Sequence, residues 1–449
     1  VECLWAHAIA RPDHPAFIFD DGTGPVDRLT YGQLAQRVRG VAAGLLPLGL
    51  EGKPVALLFG PGLDFVVAFL ATLAVGAIAV PLAPVGRRRE RVANLLPILA
   101  DCDPAALLLD AVMAEQYGEL ADGLAARGVA FARLAEIEGD GSVVSLPPSP
   151  MESQLAVLQY TSGSTSQPKG VMITHGNIMA NQRMIQRSFG HDQRSDFVGW
   201  APHFHDQGLF GNILQPLYLG ATCVLTAPAI FVRHPLVWLE LIDRYRAHTS
   251  GGPNFAFELC VEQAALRGLP DVDLSCWRVA FNGAEPIRVR SVQRFAETFA
   301  PLGFRSDAFF PCFGLAESTV VTACGPRDTQ PVFRKFDSRA LGEGRAVVAD
   351  DEAGAEEQSV LLACCGPIME ESELLIIDPQ SGEAMAEGAV GEVWLAGPHI
   401  GTGYWRNSEA SRETFGASLA DGSGPFCERA IWGFCSPRVC SSWGASRIC

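Results

Sequence analysis

The sequence predicts an α/β protein: two doubly wound, mostly parallel sheet subdomains, followed by a smaller antiparallel β subdomain. Short apolar runs alternate with amphipathic stretches from about residue 29 to 109, and again from about 156 to 280, the pattern of strands joined by crossover helices. A Gly/Ser/Pro stretch, Gly139 to Pro150, separates the two series. Beyond about Gly325 the apolar runs shorten and Gly/Pro turns multiply, which suits antiparallel strands. The expected division is 1–150, 151–325 and 326–426, with 427–449 an aberrant tail.

Leu29-Thr30-Tyr31 opens an amphipathic stretch to Leu48, with Leu34, Val38, Val41, Ala42 and Leu45 on one face. Val55–Phe59 reads as a buried strand, Leu63–Val75 as a buried helix and Ala77–Leu82 as a second strand. This region holds a trap, because Phe65 to Gly86 carries no charge and is long enough to span a membrane. Gly76 ends the helix, and Pro81 and Pro84 close the strand, so a buried strand–helix–strand unit is expected and no membrane span. Arg88–Leu99 and Ala105–Leu109 continue the first series. The second series is Ala156–Tyr160, Asn177–Phe189, Phe197–Trp200, Gln207–Leu217, Ala221–Leu225, Pro235–Tyr245 and Trp277–Ala280. Leu374–Ile377 and Glu392–Ala396 are the clearest later strands. Ala349 to Glu357 reads as a solvated acidic loop. No internal repeat is present.

Composition excludes some classes. Hydrophobic residues are 48% and charged residues 19%, enough apolar surface for large cores and against wholesale disorder. Lys and Arg number 34 against 50 Asp and Glu, a net charge of −16, which argues against a nucleic-acid binder. The 13 cysteines are odd in number and contain no C-x-x-C pair, so free thiols in a reducing cytoplasm are expected rather than a disulfide framework.

The segment richest in chemistry is Thr161-Ser162-Gly163-Ser164-Thr165-Ser166-Gln167-Pro168-Lys169-Gly170, directly after the strand Ala156–Tyr160. Small hydroxylated residues let backbone N–H groups approach an anion, and Lys169 adds a mobile positive charge. The implied task is a grip on phosphates. No G-K-[ST] is present, so this is not a Walker A loop. Composition alone equally allows a flexible Ser/Thr/Gly loop.

That run, followed by V-M-I-T-H-G-N-I, resembles the phosphate loop of the acyl-adenylate-forming superfamily of acyl-CoA ligases, peptide-synthetase adenylation domains, luciferases and fatty acyl-AMP ligases. Asn282-Gly283-Ala284-Glu285-Pro286 resembles its adenine loop. Phe313-Gly314-Leu315-Ala316-Glu317-Ser318 resembles the motif that lays an aromatic on adenine and turns a Glu toward Mg²⁺. Gly391-Glu392-Val393-Trp394 and Gly401-Thr402-Gly403-Tyr404-Trp405 resemble a later β-subdomain motif. The order and spacing agree from Glu2 to about Phe426, which implies the fold of an adenylate-forming enzyme large domain.

Within that superfamily the chain looks most like the fatty acyl-AMP ligases. Trp200 to Leu209, W-A-P-H-F-H-D-Q-G-L, resembles their P-x-x-H-D-x-G-L motif, and Ser250 to Cys260 their acyl-pocket strand. Arg334 to Glu357 resembles the extra segment that separates them from CoA-using relatives. The resemblance implies attack of a fatty-acid carboxylate on the α-phosphate of ATP, giving acyl-AMP and pyrophosphate, for transfer to an acyl carrier protein or a polyketide or peptide synthase. Thr161, Ser162, Gly163, Ser164, Thr165, Lys169 and Gly170 would hold phosphates. Asn282, Gly283, Ala284, Glu285, Pro286, Phe313, Gly314, Leu315 and Ala316 would complete the ATP site. Glu317 would hold Mg²⁺, with Thr161 a second candidate ligand. His205, Gly251, Gly252 and Phe255 would line the acyl side. Lys169, Glu317 and His205 are the catalytic candidates.

Other readings use the same residues. His203-x-His205-Asp206 could be a metal cluster, but no third ligand has fitting spacing. A Ser/His/Asp hydrolase needs a G-x-S-x-G elbow, and none appears. Outside their motifs, Glu317 would be a surface helix-cap carboxylate and Phe313 a core aromatic. A fatty acyl-CoA ligase, and a catalytically dead remnant that only binds nucleotide or a partner, stay open as alternatives.

The tail departs from the resemblance. After Phe426 the superfamily has a motif like L-R-T-G-D-L-G-F, whose Asp meets the ribose, and then G-R-x-K-D, the hinge to a C-terminal domain bearing a Lys. This chain reads C-E-R-A-I-W-G-F-C and ends at Cys449. Cys427, Cys435, Cys440 and Cys449 crowd into it, and its pattern offers nothing to pack. Reading each codon one base earlier permits L-R-[AT]-G-D-L-G-F-L from the Phe426-Cys427 codon pair onward, its Leu at position 427, and Trp443 to Cys449 permits G-R-I-K-D-L. Both motifs return in one frame, which points to a frameshift near codon 426. The chain also begins without Met, as a front-clipped sequence would.

Overall fold

A computed structural model describes residues 1–84, 88–126, 128–139, 146–161, 168–325, 327–349, 358–419, 421–435 and 447–448. The chain forms two compact units. The first comprises 1–182, 192–231 and 401–408, and the second 183–191, 232–400 and 409–449.

The first unit carries β1 (Pro15–Asp20), β2 (Pro25–Thr30), β3 (Pro54–Leu58), β4 (Ile78–Leu82), β5 (Ala106–Leu109), β6 (Ala130–Arg133), β7 (Leu155–Thr161), β8 (Lys169–Thr174), β9 (Phe197–Gly199) and β10 (Cys223–Leu225). One sheet runs β6-β5-β3-β4-β7-β8, parallel except for the β7–β8 pair. A second group runs β2-β1-β10-β9, with β1, β10 and β9 mutually parallel. The trap segment resolves as expected. Helix Leu63–Ala74 is buried at every position but Asp64, Gly76 turns at φ +74°, and every residue of β4 is buried. A helix buried all round between sheet layers needs no lipid. Among the described residues, no helix is long and apolar enough to cross a membrane.

The helix Tyr31–Leu45 shows how local code fixes an element. Thr30 Oγ1 accepts from Gln33 N–H at 3.2 Å, while Gln33 Oε1 accepts from Thr30 N–H at 2.9 Å, a reciprocal cap that satisfies two otherwise orphaned donors. The predicted face, Leu34, Val38, Val41, Ala42 and Leu45, is buried.

The boundary expected at residue 150 is not where the sheets divide. β7 and β8 lie beyond it, yet complete the first sheet, and β1 pairs with β10 two hundred residues later. Apolar periodicity tells which element a segment forms. Which neighbour a strand takes is decided by crossover geometry and face packing, which no local pattern encodes.

The second unit carries β11 (Thr249–Gly252), β12 (Val279–Asn282), β13 (Phe309–Phe313), β14 (Ala323–Cys324), β15 (Phe333–Asp337), β16 (Ser359–Ala363), β17 (Gly366–Pro367), β18 (Glu373–Ile377), β19 (Gly391–Ala396), β20 (Cys427–Gly433) and β21 (Arg447–Ile448). β11, β12 and β13 are parallel, and the later strands pair antiparallel as β15–β16, β17–β21 and β18–β19–β20. An aromatic cluster packs on the parallel strands. Trp277 lies 5.1 Å from Trp238 and 5.2 Å from Phe304, and Phe295 lies 5.1 Å from Phe257.

Residues 427–433 join a sheet although their pattern offers nothing to pack. β20 pairs with β19, and Cys427 and Phe434 are buried. The edge of β19 presents unpaired backbone groups, and any segment free of Pro can satisfy them, whatever its side chains. The pairing has an irregularity at Glu392/Val393, where the partner jumps from Trp432 to Arg429.

Candidate active site

In the first unit the candidate phosphate loop joins β7 to β8. Thr161 ends β7 and pairs in register with Lys169, the first residue of β8, so the two frame the neck of the loop. Ser162, Gly163, Ser164, Thr165, Ser166 and Gln167 lie outside the described residues. Gly170 follows because nothing larger fits: a Cβ there would come within 2.8 Å of the Tyr160 ring. The segment Gly401–Trp405 runs along β8, with Met172 N–H on Gly403 O at 2.8 Å and Trp405 N–H on Gly170 O at 2.8 Å. It delivers Tyr404, whose ring lies 5.0 Å beneath Lys169 Nζ. That contact holds the ammonium beside the loop at little cost in charge, since a ring face attracts a cation without neutralising it.

His205 lies on the loop after β9 and is half exposed. Its Nδ1 donates to Asp206 Oδ1 at 2.7 Å, and the same oxygen accepts from Gln207 N–H at 2.6 Å. The hydrogen bond to Asp206 outweighs partial burial, so the imidazole pKa is raised above its ordinary value. A cationic ring there can meet a carboxylate. The metal reading of His203-x-His205-Asp206 gains nothing: among the described residues no group of three His, Cys, Asp or Glu could hold a metal ion.

In the second unit the adenine-loop and aromatic motifs meet. A cavity of about 400 Å³ is lined by Ala284, Glu285, Pro286, Phe313 and Gly314, with Ile431 and Trp432 from β20. Ala284 sits at φ +65°, a left-handed conformation that a non-glycine residue adopts at some cost. Asn282 is fully buried, and neither polar atom of its side chain has a partner among the described residues. A mostly apolar cleft with an aromatic wall suits an uncharged planar heteroaromatic ring.

Glu317 is 2% exposed in the short turn Ala316–Ser318. The next residue, Thr319, has φ 66° and ψ −66°, and Val320 N–H donates to Ser318 O at 2.8 Å, a strained γ-turn. Thr319 Oγ1 donates to His399 O at 2.7 Å, and Thr322 Oγ1 lies 3.2 Å from His399 Nε2. Burial lowers the His399 pKa to about 4, so this clasp stays neutral at ordinary pH. One buried carboxylate without a cluster of ligands fits Mg²⁺, which commonly takes one or two carboxylates and finds its other ligands on phosphate and water.

Gly314 stands against this turn, and a Cβ on it would meet Val320 O at 1.9 Å. Gly314→Ala should therefore destabilise the second unit by about 1–3 kcal/mol. An unchanged urea midpoint in the variant would show that the turn can yield.

The acyl-pocket segment differs from expectation. Ser250 to Cys260 is not one strand: β11 ends at Gly252, and a helix runs from Asn254 to Arg267. Pro253 cannot extend the ladder and suits a helix entry. Gly251 and Gly252 pair with Phe281 and Asn282 of β12, and a Cβ on Gly251 would meet Phe281 O at 2.1 Å. Phe255 stands in the first turn of the helix, where its N–H donates to Glu285 Oε1 at 2.7 Å. The Glu285 carboxylate is thus occupied as a helix cap, and its expected adenine contact falls to the loop around it. Asn254 adds to the junction, accepting from Arg288 N–H at 3.0 Å and donating to Ser291 Oγ at 3.1 Å. Sequence reading missed Asn254, Ser291 and His399. Asn254 at a helix start was the one local signal.

The description "AMP-binding enzyme" matches residues 4–405 of this chain. The chain belongs to the AMP-binding enzyme family. Among curated relatives of this AMP-binding enzyme, the medium-chain-fatty-acid–[acyl-carrier-protein] ligase TtuA of Teredinibacter turnerae is 35% identical, over 93% of this chain and 70% of TtuA. The long-chain-fatty-acid–AMP ligase FadD26 of Mycobacterium marinum is also 35% identical, over 93% of this chain and 72% of FadD26. A crystal structure of a fatty acyl-adenylate ligase from L. pneumophila, in complex with acyl adenylate and pyrophosphate, superposes with a TM-score of 0.91 at 32% identity, covering 100% of this chain and 76% of that one. The expected superfamily and the α/β fold are therefore both found, and the AMP-binding family uses ATP.

Proposed function

We propose that this AMP-binding enzyme activates a fatty acid as its acyl-AMP, with release of pyrophosphate, for delivery to a carrier protein. The observation that carries the reading is the 400 Å³ cavity, where the adenine-loop and aromatic motifs converge on a mostly apolar, Phe313-walled cleft. The relatives' names support the fatty acid and the carrier. The chemistry needs no protein nucleophile, only positioning and charge neutralisation. Lys169, held on Tyr404, neutralises phosphate charge, together with Thr161, Ser162, Gly163, Ser164 and Thr165. Ala284, Pro286, Phe313 and Gly314 seat adenine, and the cap made by Glu285 holds their loop in place. Mg²⁺ on Glu317 would screen the phosphates, so that a carboxylate can approach. The resemblance gives His205 the task of steadying that carboxylate, and Gly251, Gly252 and Phe255 that of bordering its chain. We place the reaction in the cytoplasm, where ATP and reduced thiols occur together; among the described residues no cysteine is in a disulfide. Fatty-acid-dependent exchange of pyrophosphate into ATP tests the reading, and no exchange by a frame-restored protein would remove it.

We also propose that the frame is shifted near codon 426. In the earlier frame the Asp of L-R-[AT]-G-D-L-G-F-L falls at position 431. Ile431 lines the same cavity as Ala284 and Phe313, as a ribose-binding carboxylate would have to. This also gives substance to the second reading, a remnant that binds nucleotide without turning it over, since Ile431 and Trp432 offer the cavity no carboxylate.

The segment Arg334 to Glu357 supports the carrier over CoA as acceptor. Its described part forms β15 and the helix Ser338–Gly342. Residues 350–357, most of the predicted acidic loop, lie outside the described residues. Phe336 is fully buried and packs edge-on against Phe434 at 4.9 Å, so the segment is anchored within its unit. Deleting it from a frame-restored protein should raise CoA-thioester formation at least several-fold. Fast CoA transfer by the undeleted protein would instead make it a CoA ligase.

A further inference from the structure

We propose that the end of the helix Arg88–Cys102 is a positioning element for the phosphate-loop lysine: Asp101 through Tyr160, and Asp103 through Arg406, fix the neck of the loop and the strap that seats Lys169 on Tyr404. The inference rests on the reading of Lys169 as a phosphate ligand and deepens it.

The first latch holds the chain where it enters the loop. In the β7–β8 ladder Tyr160 faces Gly170, one pair below Thr161 and Lys169. The Tyr160 ring lies against Gly170, which has no room for a side chain. Its Oη donates to Asp101 Oδ2 at 2.5 Å. Burial, and then this hydrogen bond, raise the Tyr160 pKa, so the hydroxyl keeps its proton and stays a donor. Tyr160, Met172 and Trp405 pack on one buried core that includes Leu95 and Leu99 of the same helix.

The second latch holds the strap. Residues 401–408 belong to the first unit, although the residues before and after them belong to the second. The strap's place therefore depends on contacts it makes in the first unit. Thr402 N–H donates to Met172 O at 2.9 Å, beside the bonds from Met172 and Trp405 already described. Just past Tyr404, Arg406 Nη1 and Nη2 both donate to Asp103 Oδ2 at 3.2 Å, and the guanidinium lies 5.7 Å from the Trp405 ring. Both partners are left-handed, Asp103 at φ +46° and Arg406 at φ +52°. Asp adopts that conformation with help from its short polar side chain, and Arg has none to give. Such a backbone persists only where its surroundings dictate it. Both side chains are more than half exposed, and an ion pair of that kind adds little to stability. What the pair does fix is the course of the chain beside Tyr404.

Asp101 and Asp103 stand two residues apart, so one helix end governs both sides of the neck. This matters because lysine is a compact charge on a flexible four-carbon stem. An ammonium seated in advance loses less freedom when an anion arrives, and the saved ordering appears as affinity.

The test is calorimetry of MgATP and of adenosine, which lacks phosphate, on the 449-residue chain. The parent should bind MgATP more tightly than adenosine, and the excess reports the grip on phosphate. Tyr160→Phe and Arg406→Gln should each cut that excess about three- to tenfold and leave adenosine binding unchanged, while Arg406→Lys should keep it. In a Lys169→Ala background the same substitutions should cost nothing further, because they act through Lys169; a merely structural loss would add to it. An unchanged excess in both variants, a loss shared equally by adenosine, or losses that add to that of Lys169→Ala would each overturn the inference and leave the phosphate reading standing. A parent chain that binds MgATP no more tightly than adenosine would overturn both.

Discussion

Restoring the reading frame at codon 426 should raise fatty-acid-dependent pyrophosphate exchange by about two to three orders of magnitude or more. A frame shifted back at codon 426 would put Asp in place of Ile431, in the lining of the cavity proposed for the nucleotide, and would return G-R-I-K-D within Trp443 to Cys449. A lost hydrogen bond to a charged partner weakens binding by about 1.5–3 kcal/mol. A lost donor to developing charge lowers the rate by about 10²–10³. The 449-residue chain should accordingly bind MgATP weakly and turn it over near background. The comparison is the two proteins side by side with a long-chain fatty acid. Equal rates would sink the frameshift proposal. Reading the gene's nucleotides decides the frame independently.

Lys169→Ala and Glu317→Ala should each weaken MgATP binding by about ten- to a hundredfold, measured by calorimetry. Lys169 stands at the neck of the phosphate loop, and its ammonium is held over Tyr404, so truncation removes a positioned charge. Glu317 is buried behind the strained turn at Thr319, and its loss removes the carboxylate proposed for the metal. The two should differ in one respect. Raising free Mg²⁺ should partly rescue a variant weakened in metal binding, and should do nothing for one that lacks the lysine. Unchanged affinity in both variants would refute the assignment of the site.

Much of this was legible in the chain because the informative residues are local. The strand–helix–strand run from Val55 to Leu82 can be read from apolar periodicity and its Gly and Pro punctuation, and it folds as read. The motifs around Lys169, Ala284 and Phe313 are contiguous, so their residues can be named without knowing the fold. Long-range pairing was not legible. Nothing in Pro15–Asp20 says that it will lie beside Cys223–Leu225, and nothing in Pro398-His399 says that it will clasp Thr319 and Thr322. The turn at Pro253 was misread for a different reason. Ser250 to Cys260 is apolar apart from Ser250, Asn254 and Glu258, and a short apolar run does not distinguish strand from helix. The π-helix at Gln207–Leu214 has no sequence signature beyond that of an ordinary helix.

The pairing of β20 with β19 has a consequence for the fate of the protein in a cell. A backbone ladder reads no side chains beyond the exclusion of Pro, so a shifted frame can satisfy the sheet and erase the chemistry in the same seven residues. Proteases and chaperones sort chains by how much unfolded, apolar segment they expose, not by what they catalyse. With Cys427 and Phe434 buried in the second unit, a strand read in a shifted frame would keep those two apolar side chains from such surveillance. A chain that has lost its activity this way would persist beside working copies, drawing on the same nucleotide and acid, rather than being cleared.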